Sequence, residues 1–98
     1  MIETIITQAF KGPLEKLGIY EDDVTIELER PRERSHGDLS TNLALMLAKR
    51  LKRKPRELAG ELAAGLELDR AVIESVEIAG PGFINFRFGR GYQVDRLL

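Results

Sequence analysis

The apolar positions of the chain switch between a period near 3.6 residues and a period of 2, and each switch marks an element. Ile2, Ile5, Ile6, Ala9 and Phe10 recur at helical spacing, and Leu14 and Leu17 carry the stripe past Gly12-Pro13. A first helix is therefore predicted over about residues 2 to 17, kinked or restarted at Pro13 and stopped by Gly18. After the polar Glu21-Asp22-Asp23, Val24, Ile26 and Leu28 alternate with Thr25, Glu27 and Glu29, the pattern of a strand with one buried face. Glu29 to Gly37 reads as a charged loop. A helical stripe returns at Leu43, Met46, Leu47 and Leu51 and predicts a second helix over about 40 to 52. Asp38 or Ser40 is expected to cap it, with Gly37 supplying a tight turn just before. Pro55 suits the first turn of a third helix, whose stripe is Leu58, Ala59, Leu62, Ala63 and Leu66 and whose stop is Gly65.

The period returns to 2 in the segment Val76 to Phe88, where two alternating runs flank Gly80-Pro81-Gly82. Pro81 presets φ for the second position of a type II turn and Gly82 accepts the positive φ of the third, so a hairpin is predicted. In its second run Ile84, Phe86 and Phe88 share the core face, while Phe83, Asn85 and Arg87 share the other. Gly89-Arg90-Gly91 then breaks the strand, and Tyr92 to Leu98 reads as the first turns of another helix. The expected fold class is α+β, with a small, mainly antiparallel sheet of three to four strands and about three helices packed on one face. Residues 1–98 are expected to form a single domain. The ending on two leucines has the look of a chain cut from something longer.

Composition narrows the function. With 98 residues, 43% of them hydrophobic and 32% charged, the chain has the balance of one folded soluble domain. It contains no cysteine and a single histidine, His36, which removes disulfides and thiolate metal ligands. No apolar run approaches the ~18 residues that would span a bilayer, and cytosol, with no membrane partner, is the expected location. The net charge of −1 conceals an uneven distribution: residues 1–29 carry −5, residues 30–56 carry +7 and residues 57–98 carry −3. Such asymmetry points to a polyanion held by one part of the surface.

Two features could meet that polyanion. Lys49, Arg50, Lys52, Arg53, Lys54 and Arg56 form a basic run, joined in the same positive third by Arg30, Arg32 and Arg34. On the strand face opposite the core, Phe83 could stack on a base, Asn85 read a base edge and Arg87 hold a phosphate. A solvated basic face and an ordinary wet sheet face are the plain alternatives. His36 and Asp38 lie two apart, but no nucleophile, metal-ligand set or phosphate-cradling loop accompanies them, so capping is the better account of Asp38. A module whose hairpin face packs on another protein is the competing function, and an independent enzyme has no constellation to support it.

The segments from His36 to Ala44, His-Gly-Asp-Leu-Ser-Thr-Asn-Leu-Ala, and from Val76 to Phe86, Val-Glu-Ile-Ala-Gly-Pro-Gly-Phe-Ile-Asn-Phe, resemble the two signature stretches of the amino-terminal domain of arginyl-tRNA synthetases. Their order and separation fit, and the likeness covers nearly the whole chain. It implies an α+β domain that precedes a class I catalytic domain and touches the tRNA at the D-loop. It also implies that Phe83 and Asn85 contact a D-loop nucleotide. Ala79 departs from the pattern, since some relatives use a polar residue there. The resemblance further implies a parent that joins arginine to its tRNA with ATP and magnesium. This chain holds neither His-Ile-Gly-His nor Lys-Met-Ser-Lys-Ser, so it is expected to bind arginine-specific tRNA as a monomer beside its catalytic domain, with no cofactor or catalytic residue of its own.

Overall fold

The first apolar stripe forms two helices where one was expected. Helix α1 spans Ile2–Ala9 and α2 spans Lys11–Lys16. Pro13 has no N–H to give the Ala9 carbonyl, and the chain resets at Phe10, whose carbonyl accepts from Leu14 at 2.9 Å. At the far end, Gly18 donates to Glu15 and Ile19 to Leu14, each at 3.0 Å, the paired bonds of a Schellman closure. The computed structural model describes residues 2–20, 23–31 and 37–89. The expectations for Arg32, Arg34, His36 and the helix from Tyr92 to Leu98 lie outside the described residues.

Among the described residues three strands form one antiparallel sheet, β1 (Leu39–Thr41), β2 (Ile73–Ala79) and β3 (Phe83–Phe88), with β3 in the middle in the order β1-β3-β2. Two further helices, α3 (Leu43–Leu51) and α4 (Pro55–Ala64), make four in all among those residues. The predicted strand at 24–28 keeps its alternation, with Val24, Ile26 and Leu28 half-buried against the core and Thr25, Glu27 and Glu29 outside. It is extended but not a ladder strand. Its pairing with β1 is confined to a bridge at Glu29 and Ser40, which exchange bonds of 2.8 and 2.7 Å.

Strand β1 corrects the capping expectation. Ser40 is a strand residue opposite Asn85, and the Asp38 carboxylate accepts the Phe88 N–H at 2.7 Å, adding a rung to the β1–β3 ladder. Neither caps a helix. Helix α3 starts later than predicted, at Leu43, and the buried Thr41 hydroxyl accepts the Leu43 N–H at 3.2 Å. Asn42 holds the cap position without a side-chain bond. Thr41→Val, which keeps the shape and removes the acceptor, is expected to destabilise the chain by about 0.5 to 2 kcal/mol, read as a lower urea midpoint at unchanged slope.

The core joins Ile6, Phe10 and Leu14 from the first two helices, Leu43 and Leu47 from α3, Leu58 and Leu62 from α4, and Ile84 and Phe86 from β3. Phe10 meets Phe86 edge to face, ring centroids 6.1 Å apart. The helices thus cover the sheet face that carries Ile84 and Phe86, and the face of Phe83, Asn85 and Arg87 points away from them. The hairpin turn is shifted by one residue from the predicted frame. Gly82 donates to Ala79 at 3.2 Å and Gly80 has φ of +55°, so Gly80 and Pro81 are the central pair, with positive φ at the first as in a type II′ turn. Primed turns match the strand twist, and the fixed φ of Pro81 fits the second position. No helix among the described residues is long and apolar enough to cross a membrane.

Candidate nucleic-acid interface

The open face is organised by β3 and by what lies to either side of it. Register places Ala79 beside Phe83, Glu77 and Ser40 on the two sides of Asn85, and Ser75 beside Arg87. Phe83 is 39% exposed, near the turn end of the strand where β1 no longer flanks it. Its ring lies over the turn: a Cβ built on Gly80 would stand 3.6 Å from Phe83 Cδ2.

Asn85 is different. A freely projecting carboxamide was expected, yet the residue is only 5% exposed. The cause is strand order: β3 is the middle strand, so Asn85 has neighbours on both sides. The side-chain hydrogen bonds between described residues do not involve its amide. No buried side-chain nitrogen or oxygen among them lacks a partner, so the amide opens to the surface from a recess. Glu29, Ser40, Asn85 and Glu77 form one row across the face. The carboxylates at its two ends repel phosphates, which leaves the centre of the row suited to a base edge. Arg87 is half-buried and already engaged within the chain.

The basic run does not act as one set. Lys49, Arg50, Lys52 and Lys54 are exposed, and Lys52 closes α3 in the left-handed conformation at φ of 55°. Arg53 reaches across the α3–α4 corner to Glu61 at 2.6 Å. The hydrogen bond between them raises the Arg53 guanidinium above its ordinary pKa and holds the Glu61 carboxyl below its own. Arg56 leaves the run altogether. Its Nη1 donates to the Gly80 carbonyl at 2.7 Å, at the tip of the hairpin. Gly82 sits on Pro55 at the same place, so the basic corner at 52–56 abuts the turn that carries Phe83.

Gly80, Pro81 and Gly82 form the hairpin loop, one residue out of the predicted turn frame, and Gly37 is buried against β3. Sequence reasoning missed Ser40 and Glu77 as the neighbours of Asn85. The predicted turn frame would have paired Asn85 with Ile78, and only the observed Ala79–Phe83 pairing sets Glu77 beside Asn85. Nothing local pointed to Ser40, whose partner lies in another part of the chain.

Residues 4–88 match the family described as the arginyl tRNA synthetase N terminal domain. The arginine–tRNA ligase of Carboxydothermus hydrogenoformans is 54% identical over 74 residues, which is 76% of this chain and 13% of that protein. The ligase of Idiomarina loihiensis is 43% identical over 98 residues, covering 98% of this chain and 17% of the relative. The structure of Thermus thermophilus arginyl-tRNA synthetase superposes with a TM-score of 0.79 at 25% identity, over 98% of this chain and 15% of that one. The chain therefore spans less than a fifth of the length of these relatives. With the family match running from the first helix to the end of β3, the chain belongs to the arginyl-tRNA synthetase N-terminal domain family.

Proposed function

We propose that this domain holds the outer corner of arginine-specific tRNA, at the D-loop, on behalf of a full-length ligase that joins arginine to that tRNA using ATP and magnesium in a catalytic domain attached in cis. The observation that carries the reading is the exposed Phe83 ring beside the recessed amide of Asn85 on the middle strand. An unstacked loop base would lie on Phe83, a contact worth roughly 1 to 3 kcal/mol. Its edge would reach the Asn85 amide, which is shielded from bulk water and so discriminates against a base that leaves it unpaired. Lys49, Arg50, Lys52 and Lys54, all exposed, would meet the adjoining phosphates.

Binding remote from the reacting atoms supplies orientation, so the acceptor end enters the active site correctly placed. The test is Phe83→Ala in the full-length ligase. KM for tRNA is expected to rise about 5-fold or more, the low end of one stacking contact, with KM for arginine and ATP unchanged. An unchanged tRNA KM overturns the reading. A salt titration separates it from a hairpin face that packs on protein: contact with phosphates weakens steeply as salt rises and an apolar contact does not.

A further inference from the structure

Arg56 belongs by sequence to the basic run and was expected to meet the tRNA backbone. Its position in the structure assigns it another task. Helix α4 starts at Pro55, and the hairpin loop rests on that start at two points. At the first, Gly82 is so close that a Cβ on it would stand 2.9 Å from Pro55 Cβ and 3.0 Å from the Pro55 carbonyl carbon. At the second, the Arg56 guanidinium donates to the Gly80 carbonyl at 2.7 Å. That carbonyl is a part of the turn that the hairpin's own bonding leaves open, because the turn closes through the Ala79 carbonyl and the Gly82 N–H. Gly80 also neighbours the edge of the Phe83 ring, whose Cδ2 lies 3.6 Å from where a Cβ on Gly80 would stand. Arg56 is thus tied to the neighbour of the ring.

We propose that Arg56 is a positioning residue for tRNA recognition, holding the hairpin tip against α4 so that the Phe83 ring is presented in one orientation before tRNA arrives. The inference rests on the proposed contact between Phe83 and a loop base and adds what sets that contact up. The guanidinium charge serves a charge-assisted bond to a backbone carbonyl, and the affinity it brings comes through Phe83. Preorganisation of this kind lowers the ordering cost of binding without adding a contact to the RNA. It also explains why Arg56 points back to the hairpin of its own domain while Lys49, Arg50, Lys52 and Lys54 stay exposed.

The experiment uses the full-length ligase with Arg56→Ala, Phe83→Ala and the double variant, measuring tRNA affinity across a series of salt concentrations and KM for each substrate. Arg56→Ala is expected to raise KM for tRNA about 3- to 10-fold, the scale of one hydrogen bond, with KM for arginine and ATP unchanged. The slope of log affinity against log salt is expected to stay as in the parent. Added to Phe83→Ala, it is expected to cause little further loss, since both act through one ring. A fluorinated phenylalanine at position 83 reports the mechanism directly: its ¹⁹F resonance is expected to shift or broaden in Arg56→Ala with no tRNA present.

A salt slope shallower by about 0.7 to 0.9, the signature of one lost phosphate contact, together with full additivity and an unmoved ¹⁹F signal, overturns the proposal and returns Arg56 to the backbone contacts. An unchanged KM in Arg56→Ala also overturns it. In both cases Phe83→Ala still impairs binding. If Phe83→Ala itself has no effect, the underlying reading fails and this one fails with it.

Discussion

Truncating Phe86 to Ala is expected to remove about 3 to 5 kcal/mol of stability, a large share of the roughly 5 to 15 kcal/mol that a domain of this kind possesses. Phe86 has no exposed surface and lies opposite Leu39 on one side and Val76 on the other. Its ring also meets Phe10 edge to face, which ties the middle strand to the helical layer. Deleting it opens a cavity that the middle strand cannot collapse into, because its backbone is bonded on both sides. Urea unfolding of the chain measures the loss, and a change below about 1 kcal/mol would contradict the placement of Phe86 at the centre of the core.

Gly82→Ala is the second large effect, expected at about 2 to 5 kcal/mol from backbone strain and overpacking together. Gly82 has φ of 146°, where a side chain is strained whatever the space around it. The added methyl also meets the Pro55 backbone, at 3.0 Å from its carbonyl carbon and 3.1 Å from its oxygen, neither of which is the movable end of a side chain. Relief requires the hairpin tip to lift from α4, which moves Gly80 and the Phe83 ring with it. The variant is therefore expected to lose tRNA affinity as well as stability in the full-length ligase. By contrast, a Cβ at Gly60 meets nothing within 4 Å, so Gly60→Ala on the exposed side of α4 is the matched control. Equal effects of the two substitutions on tRNA binding would sink the coupling between hairpin tip and helix.

Both predictions turn on contacts between distant parts of the chain, and the same division separates what the sequence showed from what it hid. The apolar stripes at Leu43 to Leu51 and Leu58 to Leu66 gave α3 and α4 nearly to their ends, because helical periodicity is a local property. Gly80-Pro81-Gly82 marked the hairpin for the same reason, although the turn frame settled one residue earlier to suit strand twist. Strand β1 was invisible. Leu39-Ser40-Thr41 is too short to show a period, and it becomes a strand only because β3 offers an edge more than forty residues later. Asp38 and Ser40, whose types suit a helix cap, were drawn into that pairing instead.

What the sequence alone determined is the set of local elements, the side of β3 on which each residue falls, the charge asymmetry and, through two signature stretches, the family. What only the tertiary structure decided is which strand is central, and hence that Asn85 is recessed while Phe83 stays open. It likewise decided that Arg53 answers Glu61 and Arg56 answers Gly80 rather than solvent. The physical reason is that periodicity and turn chemistry are written in neighbouring residues, whereas burial and hydrogen-bond partners depend on which segments meet once the chain has closed on itself.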